Sequence, residues 1–248
     1  MTEAPPSPLA AIDENWQRAL AVVAHPDDME YGAAAAVARW TAQGRTVVYA
    51  MVTSGEAGID SLDPARCAPL REAEQIASAE LVGVDTVEFL RHPDGVVEYG
   101  LPLRRDIARL VRRHRPEIVL TTNFRETYGG VFPNQADHIA TGRAALDAAR
   151  DAGNRWVFRE LTAEGLEPWN GVRQVWAAGS PLSGHGVDTT DHFEAGVASL
   201  EAHAAYLAGL GGQMSDARGF LESMGRATGT RLGTRFAAAF EVINLHPQ

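Results

Sequence analysis

The chain of 248 residues is long enough for one large α/β domain and short for two independent ones. An apolar share of 45% and a charged share of 22% exclude disordered, collagen-like and coiled-coil architectures. With 22 Lys plus Arg against 32 Asp plus Glu, the formal charge of -10 disfavours nucleic acid and anionic membranes as partners, and the lone Cys67 excludes an intrachain disulfide or a thiolate metal site.

Met1 to Trp16 carries Pro5, Pro6 and Pro8 among acidic residues and has neither a cationic start nor an apolar run, so it reads as a flexible lead over 1–16. A cytoplasmic location is expected, since no stretch approaches the roughly 18 apolar residues of a membrane helix. Arg18 to Ala24 (RALAVVA) is a nearly continuous apolar run, as for a strand covered on both faces, and it stops at His25-Pro26-Asp27-Asp28. Met29 to Gln43 is Ala-rich, free of proline and closed by Gly44, which predicts a helix. Thr46 to Thr53 is a second strand, Arg71 to Leu81 a helix before Gly83, and Thr86 to Leu90 a third strand. Leu103, Ile107, Leu110 and Val111 give Leu101 to His114 a helical period, and Pro116 ends it before the strand Glu117 to Thr121. Ala136 to Ala152 is a further helix, stopped by Gly153.

In the C-terminal third, Val172 to Ala177 reads as a strand, Phe193 to Leu210 as a helix and Arg235 to Leu245 as a strand. Glycine-rich connections lie at Gly179 to Gly186 and Gly209 to Gly212. Strands alternating with helices predict an α/β fold with a mostly parallel sheet and helices on both faces. One domain over 1–248 is expected, with 154–248 a smaller part closing over the site. Ligands of such sheets bind beyond the carboxyl ends of the strands, which singles out His25 to Asp28 and Ser54 to Gly58.

His25-Pro26-Asp27-Asp28 places one imidazole and two carboxylates in a tight turn whose backbone Pro26 restricts. Burying adjacent carboxylates without a cation is costly, so a metal ion is the economical explanation. The bland alternative, that Asp27 or Asp28 caps the following helix, loses weight because Gln135-Ala136-Asp137-His138 supplies another imidazole after the fourth strand. A histidine and an aspartate three apart, joined by a distant histidine, suit Zn²⁺ with an open position, and Fe²⁺ equally.

AHPDD at Ala24 to Asp28, TSGEAG at Thr53 to Gly58 and ADH at Ala136 to His138 resemble the LmbE-like, or PIG-L, deacetylase family. The resemblance implies a Rossmann-like fold, Zn²⁺ held by His25, Asp28 and His138, and Asp27 as general base in the hydrolysis of an N-acyl group, commonly of an acetylated glucosamine unit. It implies that Arg71 and Asp94 hold substrate hydroxyls, with Glu56 and His185 as further candidates for substrate contact. Where the family usually reads His-Pro-Asp-His, this chain has Gln135 first, an amide that can stabilise an oxyanion but supplies no proton. A tyrosine often found two residues earlier is replaced by Pro133. Asp137 is expected to orient a neighbouring side chain, and Asp27 to return its proton to the leaving nitrogen, with His185 and His192 as alternative donors. His92 reads as a loop residue, and Trp156, Trp169 and Trp176 as core residues or a substrate platform.

The expected partner is a small N-acylated amino sugar, and a homo-oligomer is compatible with the sequence. Two rivals are an Fe²⁺ enzyme with the same ligands and a catalytically impaired metal-containing relative that binds sugar. A dinucleotide enzyme is set aside because the first turn lacks the glycines a pyrophosphate needs.

Overall fold

The computed structural model describes residues 7–246. Ten strands are present among them: β1 Ala10–Ala11, β2 Arg18–Val23, β3 Thr46–Met51, β4 Thr86–Phe89, β5 Ile118–Thr122, β6 Thr127–Tyr128, β7 Phe132–Pro133, β8 Gln174–Ala178, β9 His185–Asp188 and β10 Ala237–Asn244. The helices are α1 Asp28–Gly32, α2 Ala34–Ala42, α3 Pro64–Leu81, α4 Leu101–His114, α5 Ala136–Asp151, α6 Arg159–Ala163, α7 Phe193–Glu201, α8 Ala204–Gly209 and α9 Ala217–Leu232. Strands β4, β3, β2, β5 and β8 lie side by side and parallel. β10 runs antiparallel to β8, β9 antiparallel to β10, and β1 parallel to β9, so the expected mostly parallel α/β sheet is found.

The apolar run of β2 divides by its period of two. Ala19, Ala21 and Val23 pack with Trp40, Trp176 and Phe240 on one face. Leu20 and Val22 pack with Leu103, Ile107, Leu110 and Ala144 on the other. Helices α2 and α3 thus cover the first face and α4 and α5 the second, which is why β2 shows no polar alternation. Trp176 belongs to this core, with its ring 5.7 Å from that of Trp40. Trp169 donates from Nε1 to the Pro116 carbonyl at 2.7 Å. Trp156 is exposed.

Several elements differ from expectation. Met29 to Gln43 forms two helices, because Ala33 at φ -143° breaks the chain where α7 comes close: a Cβ on Gly196 would lie 3.0 Å from the Ala35 nitrogen. α3 begins at Pro64, where a first-turn proline is tolerated and Asp63 accepts from the Ala65 amide at 3.0 Å. Phe193 to Leu210 is divided at His203, and Glu74 of α3 accepts from the Ala205 amide to cap α8. α9 was hidden by Gly219, Gly225 and Gly229, which weaken helix propensity. Gly229 is needed there, since a Cβ would lie 2.7 Å from the Thr234 carbonyl. The expected connection Gly179 to Gly186 contains the start of β9. Of the lead expected over 1–16, residues 1–6 lie outside the described residues, whereas Leu9, Ile12 and Trp16 are buried and Ala10 and Ala11 pair with β9. No helix among the described residues is long and apolar enough to cross a membrane.

Candidate metal centre

β2 and β5 are neighbours whose chains leave in opposite directions along the sheet, β2 toward β3 and β5 toward β8. Such a switch point opens a crevice beyond the strand ends. His25 to Asp28 follow β2 into it, and the segment after β5 returns through the β6–β7 hairpin to present Asp137 and His138 in the first turn of α5. The two histidines, 113 positions apart, meet with His25 Nδ1 3.2 Å from His138 Nε2. Asp28 joins them, its Oδ1 3.0 Å from His138 Nε2 and its Oδ2 3.8 Å from His25 Nδ1.

The hydrogen-bond partners around this trio favour one placement of the ring protons. His25 Nε2 faces Asp94 Oδ1 at 3.1 Å and Asp137 Oδ2 at 3.3 Å, acceptors only, so Nε2 carries the hydrogen. Asn134 donates from Nδ2 to the carbonyls of Asn123 and Arg125, which turns its Oδ1 toward His138 Nδ1 at 3.0 Å. His138 therefore carries its hydrogen on Nδ1. Two ring lone pairs and a carboxylate are left facing one another within 4.8 Å, an arrangement that repels itself unless a cation or an additional proton lies between. The donor set fits a divalent ion of the zinc or iron type. His25, Asp94 and Asp137 form a second convergent group, but its only imidazole atom is the protonated Nε2, so it is the outer hydrogen-bonding layer of His25 and not a separate ion site.

The additional proton is the alternative to the cation. Burial pulls the His25 pKa down, yet hydrogen bonds to Asp137, Asp28 and Asp94 outweigh it and hold the imidazole well above its usual value. Burial would raise Asp28, but the nearby His138 and the hydrogen bonds from both histidines lower it. The cluster carries a surplus of carboxylates over cationic side chains. That surplus attracts a divalent cation.

Asp27 sits beside this trio in a left-handed backbone conformation, φ 88°. Burial raises its carboxyl to about 7, against the lowering charge of Arg71 and with the repulsion of Asp28. Arg71 donates to Asp27 Oδ2 at 2.7 Å and to the Pro26 carbonyl at 2.5 Å. Oδ1 makes no hydrogen bond among the described residues, so one carboxylate oxygen is free for a reacting group. The glycines of TSGEAG make room for this arrangement, since a Cβ on Gly58 would lie 2.7 Å from Arg71 Nη1.

Several expected site residues have other positions. Arg71, expected to hold substrate hydroxyls, is 1% exposed, engaged with Asp27 and covered by the Tyr206 ring 3.8 Å away. Asp94 turns inward to His25 and accepts from the Ala57 amide at 2.8 Å. Glu56 joins these loops, accepting from the Asp94 and Ser54 amides. Both Arg71 and Glu56 thus act on protein groups. Asp137 accepts from the Gly95 and Val97 amides as well as facing His25. His185 lies on β9, beyond β5, β8 and β10 from β2, and brings no group to the cluster. His192 lies in a short 3-10 turn before α7, and His92 faces Asp106. Gln135 is exposed at the N-cap of α5 and makes no capping bond with its side chain.

Other participants escaped the sequence reading. Thr127 pairs with Pro133 and Tyr128 with Phe132, so the strand opposite Pro133 supplies a tyrosine whose hydroxyl lies 3.1 Å from His138 Nδ1. Burial and the Asp28 charge push Tyr128 up to about 12, so it stays a proton donor. Gln75 of α3 accepts from the Asp27 amide at 2.9 Å. A signal for Asn134 existed, four residues before His138; Tyr128 and Gln75 had none.

The family model described as GlcNAc-PI de-N-acetylase (PIG-L) matches residues 20–149, more than half of the chain. A diacetylchitobiose deacetylase of Thermococcus kodakarensis is 27% identical over 75% of this chain and 69% of its own length. A 1D-myo-inositol 2-acetamido-2-deoxy-alpha-D-glucopyranoside deacetylase of Kineococcus radiotolerans is 32% identical over 72% of this chain, the match spanning 57% of that protein. Among solved structures, an N,N'-diacetylchitobiose deacetylase from Pyrococcus horikoshii superposes with a TM-score of 0.84 at 22% identity, covering 93% of this chain and 85% of its own.

Proposed function

The chain belongs to the PIG-L family of de-N-acetylases, and from that premise we propose that it is a metal-dependent hydrolase removing an N-acyl group, in first place N-acetyl, from a small amino-sugar-containing molecule. The observation that carries the reading is the convergence of His25 Nδ1, His138 Nε2 and Asp28 beside a carboxylate, Asp27, with one oxygen unengaged. His25, Asp28 and His138 would hold the ion, Zn²⁺ or, with the same ligands, Fe²⁺, which would supply Lewis-acid polarisation of the acyl carbonyl and lower the pKa of the attacking water to about 7. Asp27 accepts a proton from that water and delivers it to the departing nitrogen, breaking the C–N bond to release carboxylate and amine. The Tyr128 hydroxyl, beside the Nδ1 edge of His138 that Asn134 also faces, keeps its proton and can donate it to the bound substrate. Gln135 is a second donor at the rim, and Asp94 and Asp137 fix the ring of His25.

The test is a panel of N-acetylglucosamine, N,N'-diacetylchitobiose and an inositol-linked N-acetylglucosamine, scored for released amine with protein reconstituted in Zn²⁺ and separately in Fe²⁺. Turnover is expected with at least one metal and is expected to vanish with a chelator. Asp27→Asn should keep the metal and lose turnover by about 10²–10⁴-fold. Sugar binding without amine release from any member would replace the hydrolase with a binding protein, and a metal-free Asp27→Asn would make Asp27 a ligand.

A further inference from the structure

The Pro26–Asp27 peptide unit is gripped at both ends from α3. Its carbonyl accepts from Arg71 Nη2 at 2.5 Å, and its N–H donates to Gln75 Oε1 at 2.9 Å. Arg71 and Gln75 are four residues apart and share one helix face. The plane of that peptide sets φ of Asp27, which at 88° is a value a non-glycine residue keeps only when its surroundings enforce it. A change in this φ that ψ of Pro26 does not offset would redirect the Cα–Cβ bond of Asp27, and with it the carboxylate.

Arg71 binds the Asp27 carboxylate as well as the peptide, so its two tasks cannot be separated by substitution. Gln75 hydrogen-bonds Asp27 through its backbone N–H alone. Its amide has one permitted orientation, because Nε2 donates to Glu30 Oε1 at 3.0 Å while Oε1 faces the Asp27 N–H. Glu30 is held by the Ser78 hydroxyl, donating to the same oxygen at 2.8 Å. Gln75, Glu30 and Ser78 are at most 1% exposed, so none of them meets substrate.

We infer that Gln75, oriented by Glu30, is a positioning residue that holds the Pro26–Asp27 peptide and thereby keeps Asp27 aimed at the reacting atoms. The inference rests on the reading of Asp27 as the proton acceptor. A bland alternative is that the pair only satisfies buried polar groups, and the two differ in what a double substitution does. Gln75→Leu leaves Glu30 short of a donor and is expected to lower both the thermal midpoint and kcat, the latter about 10–100-fold, with KM and metal content unchanged. Gln75→Leu/Glu30→Leu removes both polar partners, so the thermal midpoint should return toward wild type while kcat stays low. Crystals of the double variant should show Asp27 φ outside the left-handed region. A double variant with wild-type kcat, or with Asp27 φ still near 88°, overturns the proposal. Asp27→Asn runs alongside: if wild-type turnover survives it, the acid-base reading fails, while the crystal structure still decides whether Gln75 holds the turn.

Discussion

At the scale of single residues, anchoring ranks the two donors proposed for the substrate. Tyr128 has a hydroxyl beside His138, whereas Gln135 is exposed and unanchored. Tyr128→Phe is expected to lower kcat by about 10²–10³-fold. Gln135→Ala should cost much less, and steady-state kinetics with matched metal content checks the ranking. A second residue, His203, tests burial instead of catalysis. Burial, with the charge of Arg71 adding, pushes its pKa down to about 3, and neither ring nitrogen has a partner among the described residues. Glu30 Oε2 is 3.8 Å away, beyond hydrogen-bond reach, and burial raises the Glu30 pKa, so both groups favour their uncharged forms and make no ion pair. Above pH 6.5 neither folded nor unfolded His203 is charged; below it only the unfolded chain takes the proton. Stability is therefore lost as pH falls, by up to ~1.4 kcal/mol per pH unit from this group. His203→Leu should flatten the fall in urea midpoint between pH 6.5 and about pH 5, measured against wild type. The HPDD turn and His138 were legible because their chemistry is dense in sequence. Tyr128 and Gln75 were not, since each acts through a contact that hairpin pairing or helix docking creates.

At the scale of elements, the site depends on how α5 is seated, because its first turn carries Asp137 and His138. Gly142 lies against Phe124, and a Cβ there would come 2.4 Å from the Phe124 Cβ. Gly142→Ala is expected to destabilise by about 1–3 kcal/mol through overpacking and to weaken metal affinity by shifting the helix. Urea unfolding and metal competition titration read the two effects, and an unchanged metal affinity would mean that the helix start is held independently of its middle. The parallel strands and α4 were readable from apolar period alone. α9 was not, because its glycines weaken local propensity, and Gly229 is explained only by the backbone of residues 234 and 235 pressed against it. The breaks at Ala33 and His203 likewise follow from neighbours, α7 and α3, and leave no mark in the residues themselves.

At the scale of the whole molecule, β8, β9 and β10 come from the C-terminal third yet complete the sheet begun by β2 to β5. Trp16, Trp40, Trp176 and Phe240, drawn from both ends of the chain, share one core. The chain is accordingly expected to unfold as a single unit, with tryptophan fluorescence and far-ultraviolet circular dichroism giving coincident denaturation curves. Separate transitions would divide the C-terminal third from the rest. The sequence by itself determined the fold class and the residue types of the candidate metal centre, because strand and helix periods and a turn packed with His and Asp are local properties. The tertiary structure alone decided which nitrogens of the two histidines face each other, which protein groups Arg71 and Asp94 contact, and that Tyr128 stands beside His138. Those outcomes depend on distances between segments far apart along the chain, and no local pattern encodes them.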